Sequence, residues 1–258
     1  MTAVATPASA PSRRRSLTGV IGIRHLATPA VVVVALIADY LWVHSLRLDS
    51  IEQRTLNSGY LVGRTAEHLK LTLVATVLIM SIAVPLGVLI SRVRARWVPP
   101  LVLGLANVGQ ATPAIGVLVL LTITVGPGVG VAMTSLVAYS ALPVLRNTLI
   151  GIQQVDPTLI EAARGMGMRP AQVLWRIEMP LAVPVVLAGL RTALVFCVGV
   201  ATLATFVNAG GLGDIIVNGI KLDRDPVLVT GSILTASIAL LLDWAGGLVE
   251  SALRPKGT

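Results

Sequence analysis

The sequence predicts an all-α polytopic membrane protein with about six transmembrane helices, and three observations carry this prediction. Of the 258 residues, 55% are hydrophobic and 12% are charged, whereas soluble domains carry about 25% charged residues. The mean hydropathy is +0.85. The apolar residues form runs of about 20, the length that an α-helix needs to cross a hydrocarbon core of about 30 Å. Such a chain has too little polar surface to cover a soluble globule.

The first apolar run, residues 29–48, follows a basic N-terminal segment, residues 1–28. This segment has the positive charge of a signal peptide, in Arg13, Arg14 and Arg15. The apolar run is too long for a signal peptide, however, and no clear cleavage site follows it. We therefore expect a flexible, basic N-terminus and an uncleaved first transmembrane helix.

Five further apolar runs follow along the chain: residues 69–90, 98–125, 129–150, 181–207 and 227–248. Polar stretches separate or flank them: the loop 49–67, the turn 126–128, a polar segment over residues 156–180, a glycine-rich loop over 209–226, and the tail 250–258. Each boundary is defined to within about two to four residues.

The distribution of basic residues predicts the orientation. With the N-terminus inside, 13 of the 20 Lys and Arg residues fall in segments on the cytoplasmic side and six in the outer loops. Because cytoplasmic loops are enriched in Lys and Arg, we expect both termini in the cytoplasm of a bacterial cell. This orientation also places the polar segment (residues 156–180) in the cytoplasm.

The net charge of +8 does not indicate a nucleic-acid partner. Aromatic residues are 3% of the chain, and the basic residues lie between apolar runs that contact membrane lipid. The single cysteine, Cys197, lies in an apolar run, where a small buried hydrophobe is expected. The histidines His25, His44 and His68 show no metal-ligand spacing, so no metal site is predicted.

The polar segment has the pattern of two helices joined by a glycine turn. Asp156 can cap free backbone N–H groups, and Pro157 is pre-organised for the first helical position. Gly165 and Gly167 then break this helix. Pro170 is suited to open a second helix, and Pro180 is expected to end it at the entry to the fifth span.

The first of these helices offers a surface for a protein partner. Ala162 and Ala163 are small, so a partner can approach closely, and Glu161 adds a directional contact at the rim. A cytoplasmic docking element is one interpretation. The other is an interfacial helix that lies on lipid headgroups, and the residues alone leave both open.

The spacing of this segment resembles the EAA loop of ABC-type importer permeases. The matching positions are Glu161-Ala162-Ala163, Gly167, Ile177 and Met179-Pro180, where the family has Leu-Pro at the last pair. The resemblance implies a short coupling helix in a cleft of the ATP-binding subunit. It assigns ATPase coupling to seven residues: Glu161, Ala162, Ala163, Gly165, Gly167, Ile177 and Pro180.

Other stretches resemble one branch of that family, the permeases for glycine betaine, carnitine, choline and related osmoprotectants. They are Asn107-Val108-Gly109-Gln110-Ala111-Thr112-Pro113, Leu142-Pro143-Val144-Leu145-Arg146-Asn147-Thr148, Ala188-Gly189-Leu190-Arg191-Thr192-Ala193 and Ala209-Gly210-Gly211-Leu212-Gly213. The likeness covers residues 65–249 and implies the architecture of a type I ABC importer permease. The transported solute would be a small osmoprotectant.

The resemblance also implies the partners. They are two copies of an ABC ATP-binding subunit, a second permease copy or paralogue, and an extracytoplasmic substrate-binding protein. The chain has no G-x-x-x-x-G-K-[ST] phosphate-binding loop. We therefore expect a non-enzymatic subunit that binds no cofactor, with ATP and Mg used by the partner ATPase.

Polar residues in the third span are candidates for the translocation path. Asn107, Gln110 and Thr112 precede Pro113, and polar groups are expensive in lipid, so they should face the bundle interior. In one interpretation they line the path, and Pro113 opens the helix at a gate. In the other they form hydrogen bonds between helices.

The loop after the fifth span carries Gly210, Gly211 and Gly213, which permit tight backbone turns on the outer face. This loop is expected to contact the substrate-delivering protein or to seal the outer mouth. A simple connector is the alternative.

Three ionisable residues in or near spans, Asp39, Arg191 and Asp243, leave a competing function open. We expect structural roles, with Arg191 paired to an acid or to polar groups of a neighbouring helix. A proton relay through the three residues would instead indicate a proton-coupled secondary transporter. Within the ABC class, the alternative is a permease for another small solute, such as an amino acid or methionine.

Overall fold

The structure is a computed structural model that describes residues 17–95 and 97–253, with side chains from residue 26. In these ranges every regular element is helical. The α-helices are α1 (Leu17–Ser45), α2 (Ser50–Thr55), α3 (Ser58–Ser91), α4 (Val98–Ala111), α5 (Ala114–Val125), α6 (Val129–Gln153), α7 (Pro157–Gly165), α8 (Pro170–Val173), α9 (Met179–Ala201), α10 (Gly213–Lys221) and α11 (Asp225–Leu253). A π-helical turn, Leu174–Glu178, joins α8 to α9, and a 3-10 turn, Thr202–Val207, follows α9.

Five of the described helical stretches are long and apolar enough to cross a membrane. They contain α1, α3, α6, α9 and α11. The pair α4 and α5 makes a sixth span if it is counted as one, and its two helices meet at an angle of 89°. The prediction of an all-α membrane protein with about six spans is confirmed.

The core lies between α3, α6 and α9. Small side chains let these helices approach closely, as in other membrane bundles. Ala75 of α3 and Ala193 of α9 are completely buried. At Gly189, an added Cβ would lie 2.8 Å from the carbonyl oxygen of Pro143 on α6. Cys197 is also fully buried among apolar residues, as expected for a small hydrophobe.

Two helices extend this core on one side. α11 packs against α9, and α1 packs against α11. The short α10 also rests on α11. By contrast, none of the residues of α4 is buried within the chain. The broken pair α4–α5 is therefore the most peripheral part of the bundle.

Several helices extend beyond the predicted boundaries. The N-terminal segment was expected to be flexible up to residue 28, but α1 begins at Leu17, and residues 1–16 lie outside the described part. No strong helix breaker occurs between Leu17 and the apolar run, so the helix continues past it. At the other end α11 continues to Leu253, into the expected tail, and residues 254–258 are not described.

The outer loop expected over residues 49–67 is largely helical. Asp49 and Glu52 form a reciprocal capping box that starts α2, the arrangement that satisfies free N–H groups at a helix start. Asn57 then accepts a hydrogen bond from the Gly59 N–H and starts α3, 11 residues before the predicted start of that span. The glycine-rich loop similarly contains the helix α10.

The second helix of the polar segment does not end at Pro180. The chain stays helical from Pro170 to Val207, with one π-helical turn just before Pro180. Proline lacks an N–H and its ring clashes with the carbonyl of residue i−4. The wider turn, closed by the Met179 N–H to the Leu174 carbonyl, accommodates this irregularity without a break.

α3 defines two opposite faces of the bundle. Its N-terminal part carries Glu67 beside the Gly210–Gly211 turn, and Arg92, which caps its C-terminus, contacts the polar segment at Glu178. At 1.5 Å per residue, the 25 residues between Glu67 and Arg92 span about 38 Å. The glycine-rich loop and the polar segment therefore lie on opposite sides of the membrane.

Candidate functional site

The polar segment forms the predicted helix, glycine turn and second helix. Oδ1 of Asp156 accepts a hydrogen bond of 2.8 Å from the Thr158 N–H at the start of α7, and this bond lowers the pKa of the Asp156 carboxyl. After α7, Gly167 has φ +81°, in the left-handed region that favours glycine. The Met168 N–H then reaches back to the Ala163 carbonyl at 3.1 Å and closes the turn.

The two alanines of α7 differ in exposure. Ala163 is 1% exposed, whereas Glu161 and Ala162 are exposed. On the exposed side lie two large apolar side chains, Leu159 and Met166, which are 47% and 72% exposed. This exposed face combines an apolar patch, a small residue and one carboxylate, the composition of a surface that another protein can cover.

The remaining predicted coupling residues are distributed around this face. Gly165 and Gly167 are exposed at its end. Ile177 is half-buried in the π-helical turn, and Pro180 is exposed at the start of α9. The structure therefore connects the exposed face of α7 to the fifth span through the glycine turn and one continuous helical stretch that begins at Pro170, called the continuous helical path.

An ion pair fixes this path to α3. The guanidinium of Arg92 donates from Nη1 to Oε1 of Glu178 at 3.2 Å and from Nη2 to Oε2. The Glu178 side chain is 2% exposed, and a buried carboxylate needs such a partner. This contact joins positions 86 residues apart, and no signal in the sequence could identify it.

A mid-membrane cavity of about 260 Å³ lies between α4, α6 and α9. Two predicted path residues, Asn107 and Gln110, line it together with residues that the path prediction did not include: Arg146, Asn147, Thr192 and Phe196. Nδ2 of Asn147 donates to the Val185 carbonyl at 3.1 Å and is thereby oriented.

The other two predicted path residues do not line the cavity. The Thr112 hydroxyl donates to the Val108 carbonyl of its own helix at 3.3 Å. Pro113 stands in the break between α4 and α5, where it causes the change of direction. Asn107 lines the cavity and is exposed in the single chain.

The three outer glycines lie in an outer cluster with Arg64, Glu67 and Asp214. Gly210 and Gly211 have φ of +80° and +92°. The Gly211 N–H donates to Glu67 at 3.1 Å, and Arg64 bridges Glu67 and Asp214 at 2.8 and 2.9 Å. These contacts hold the loop against α3.

His68 anchors the outer cluster to the core. The fully buried ring donates from Nε2 to the Val198 carbonyl at 3.2 Å and accepts the Leu212 N–H at Nδ1 at 3.3 Å. These two bonds define the neutral Nε2–H tautomer, because a carbonyl only accepts and a backbone N–H only donates. No motif in the sequence indicates this role.

Arg191 is paired with acids, as expected. It donates from Nε and Nη2 to Asp243, both at 3.0 Å, and from Nη1 to Glu250 at 2.8 Å. Its side chain crosses α11 at Gly246, where an added Cβ would lie 2.7 Å from Cγ of Arg191. The network ties α9 to α11.

Asp39 does not belong to this network. Its carboxylate accepts a hydrogen bond from the Thr230 hydroxyl at 3.2 Å. Thr230 and Asp243 are 13 residues apart on α11, which corresponds to about 20 Å. Asp39 and Arg191 therefore lie in separate places, and the described residues provide no relay between them.

Comparison with known proteins gives this arrangement a family. Residues 83–255 match the model of the binding-protein-dependent transport system inner membrane component. The chain belongs to this family. It is therefore a permease component of a transport system and a multi-pass membrane protein.

Curated relatives of this permease have similar lengths and clear sequence identity. The choline transport system permease protein OpuBB of Bacillus subtilis is 37% identical over 201 residues, covering 78% of this chain and 92% of the relative. The carnitine transport permease protein OpuCD of Listeria monocytogenes is 41% identical over 208 residues, covering 80% and 92%. The osmoprotectant import permease protein OsmW of Salmonella typhimurium is 40% identical over 215 residues, covering 81% and 99%.

Solved structures share the fold of this permease. The inward-facing MetNI methionine ABC transporter matches with a TM-score of 0.68 and 25% identity, over 79% of this chain and 99% of the matched chain. A bacterial alginate ABC transporter in complex with a periplasmic protein matches with a TM-score of 0.65 and 15% identity, over 93% and 96%. The predicted type I ABC importer architecture is confirmed.

Proposed function

We propose that the chain is the membrane-spanning subunit of an ATP-driven importer for a small osmoprotectant such as glycine betaine, choline or carnitine. The observation that carries this proposal is the sequence identity of 37–41% to choline, carnitine and osmoprotectant permeases, over most of this chain and over 92% or more of each relative. The subunit itself catalyses no reaction and binds no cofactor. ATP and Mg are used by a separate ATP-binding subunit.

In this proposal the exposed face of α7 docks into the ATP-binding subunit. The face presents Glu161, Ala162 and two exposed apolar side chains, Leu159 and Met166, without a partner inside the described chain that covers them. When ATP closes the paired ATPases, the displaced α7 moves α9 through the continuous helical path. The Arg92–Glu178 pair passes the same displacement to α3. The bundle thus changes between inward-open and outward-open states.

The assembly would contain two ATP-binding subunits and a second permease copy or paralogue, which supplies the second docking helix. Both termini would be cytoplasmic, because this orientation places most of the basic residues inside. An extracytoplasmic binding protein would deliver the solute to the outer cluster. The ordered backbone around Gly210 and Gly211 supports that role, because it offers a fixed contact surface.

The solute would then pass the mid-membrane cavity between α4, α6 and α9. Asn107 and Gln110 line this cavity, and Pro113 provides the break that lets α4 move separately from α5. Two facing cavities from a permease pair would form a polar path through the apolar bundle, because a solute with full charges needs polar contacts at this depth.

The test is uptake of labelled glycine betaine, choline and carnitine at high osmolarity. The host cells lack their own osmoprotectant uptake and receive this permease with its native ATPase and binding protein. ATP-dependent accumulation of any of the three supports the proposal. No accumulation by an intact complex that hydrolyses ATP contradicts the substrate class, and uptake of an amino acid such as methionine instead would identify the other ABC function.

Gly167 tests the coupling step within the same assay. An added Cβ at Gly167 meets nothing within 4 Å, so its left-handed backbone is the only constraint inside the chain. Gly167→Val strains that backbone by about 1–2 kcal/mol and places a branched side chain at the docking face. Asn tolerates this conformation, so Gly167→Asn is the matched control. We expect Gly167→Val to lower ATPase attachment and uptake more than Gly167→Asn; normal uptake by Gly167→Val contradicts the docking assignment.

A further inference from the structure

The mid-membrane cavity contains an arginine without a partner. Arg146 lines it from α6, and none of the ion pairs or hydrogen bonds among the described residues uses its guanidinium. Arg146 lies seven residues before Gln153, the end of α6 at the polar segment, which places it about 10 Å into the bundle from that end. The Arg146 side chain is exposed in the single chain, so its guanidinium is open to a ligand in the cavity. A charged residue that lines a cavity within a membrane bundle indicates a functional site.

A second lining residue carries an unsatisfied polar atom. The amide nitrogen of Gln110 is buried and has no hydrogen-bond partner within the described chain, although Gln110 lines the cavity. Asn107 and Thr192 add further polar atoms to the lining. The Gln110 backbone carbonyl accepts a hydrogen bond from the Tyr139 hydroxyl at 3.4 Å, so Gln110 lies near Tyr139. Arg146 forms the donor end of the cavity: a guanidinium only donates, and an anionic acceptor satisfies it best.

An aromatic ring lines the cavity farther from the polar segment. Phe196 lines the cavity, and its ring lies 6.3 Å from the ring of Tyr139. Tyr139 and Arg146 are seven residues apart on α6, about 10 Å along the same face of the helix. Aromatic faces attract quaternary ammonium groups. The cavity therefore has a donor end for an anion and an aromatic end for an organic cation.

We propose that this cavity is a transit site for zwitterions, in which Arg146 binds the solute carboxylate and Phe196 faces its quaternary ammonium group. This inference rests on the proposed function and deepens it, because it divides the osmoprotectants into two classes. Glycine betaine and carnitine carry a carboxylate that uses the donor end. Choline carries the same ammonium group but a hydroxyl in place of the carboxylate, so it uses the aromatic end alone.

The test compares glycine betaine and choline uptake in proteoliposomes that hold the complete complex with ATP inside, at solute concentrations that saturate the binding protein. Arg146→Gln removes the charge and should lower glycine betaine uptake about tenfold or more relative to choline, since hydrogen bonds to charged groups carry that discrimination. Arg146→Lys keeps the charge without the fork of donors and should fall between. Retained choline uptake shows that the variant folds.

Phe196→Leu is the complementary variant. It removes the aromatic face that both solutes share and should lower the uptake of both by a similar factor. Arg94→Gln is the matched control for charge, because Arg94 is an exposed arginine of the loop between α3 and α4 and lies outside the cavity. It should leave the ratio of the two solutes unchanged. If the unchanged complex transports glycine betaine but not choline, the glycine betaine uptake of Arg146→Gln is compared with that of Arg94→Gln.

The outcomes separate the two proposals. Uptake of no osmoprotectant by the unchanged complex overturns the proposed function and this inference with it. Uptake by the unchanged complex, with equal losses of glycine betaine and choline in Arg146→Gln, overturns the inference alone and identifies Arg146 as a structural or lipid-phosphate contact. Glycine betaine uptake that is equal in Arg146→Gln and Arg94→Gln, or uptake of choline without any carboxylate-bearing solute, also overturns it.

Discussion

Arg92 and Glu178 are 86 residues apart in the chain, and their side chains form a bidentate ion pair at the end of the bundle that carries the polar segment. Glu178 is almost fully buried and belongs to the π-helical turn that precedes α9, whereas Arg92 caps α3. The polar segment is therefore attached to two membrane helices at one point. We therefore expect a displacement of α7 that moves α9 to move the end of α3 as well.

Breaking this pair should uncouple ATP hydrolysis from transport. Arg92→Gln leaves the buried Glu178 carboxylate without its cation. We expect the loss of stability to lie at the lower end of the range of about 3–5 kcal/mol for breaking a buried ion pair, because Arg92 is partly exposed. We expect a lower melting temperature in detergent and ATP hydrolysis that continues while uptake falls. The double variant Arg92→Gln/Glu178→Gln should regain most of the stability, since it leaves no unpaired charge; equal melting temperatures for Arg92→Gln and the unchanged protein would contradict the role of the pair.

The two alanines of α7 should respond differently to the same change. Ala163→Met overfills a site that is 1% exposed and should destabilise the permease by about 1–3 kcal/mol. Ala162→Met adds bulk to the exposed face and should leave stability unchanged while co-purification of the ATPase falls. Thermal unfolding and pull-down of the ATPase measure the two effects; normal attachment by a stable Ala162→Met variant would mean that this face does not dock.

The outer cluster should also depend on Gly213, whose φ does not lie in the left-handed region. An added Cβ at Gly213 would lie within 2.8 Å of the Thr202 carbonyl carbon, so even Gly213→Ala pushes α10 away from the end of α9. We expect a loss of about 1–3 kcal/mol from overpacking and weaker binding of the delivery protein. Gly199→Ala is the control, since nothing lies within 4 Å of its added Cβ. Similar melting temperatures for the two variants would contradict this packing.

Uptake should not depend on a proton gradient. Asp39 contacts Thr230 and lies away from the Arg191 network, so Asp39→Asn, which keeps an acceptor oxygen for Thr230, should retain uptake. In proteoliposomes that contain ATP, an uncoupler should leave the rate unchanged for both proteins. Loss of uptake on adding the uncoupler, with ATP still present, would support a proton-coupled transporter instead.

Periodicity and local signals predicted the order of the spans and the helix–glycine–helix form of the polar segment, because these depend on neighbouring residues. They also singled out Asn107 and Gln110, which line the cavity, since polar residues in an apolar run stand out. The extension of α3 went unpredicted because Arg64 and Glu67 make its first turns polar, and their outer-cluster contacts stabilise them there.

Other features depend on contacts between distant parts of the chain. Arg146 reads as a cytoplasmic topology signal in the sequence, and only the packing of α4 and α9 against α6 places it in a cavity. His68 shows no motif, because its partners are backbone groups about 130 and 144 residues away. A hydrogen bond to a backbone group does not depend on the partner's side chain, so the pattern of residue types does not indicate it.

The length of α3 relates the protein to the thickness of its bilayer. Charged groups are fixed at both ends of about 38 Å of helix, by Glu67 on one side and Arg92 on the other. A hydrocarbon layer of about 30 Å leaves both charged groups in the headgroup regions. Longer acyl chains would thicken this layer and place one of the charged groups inside it. Because each end is bonded to another element, α3 cannot slide to compensate. The lipid must thin around the protein, at a modest cost for each ångström of mismatch, so acyl-chain length alone should tune the transport rate.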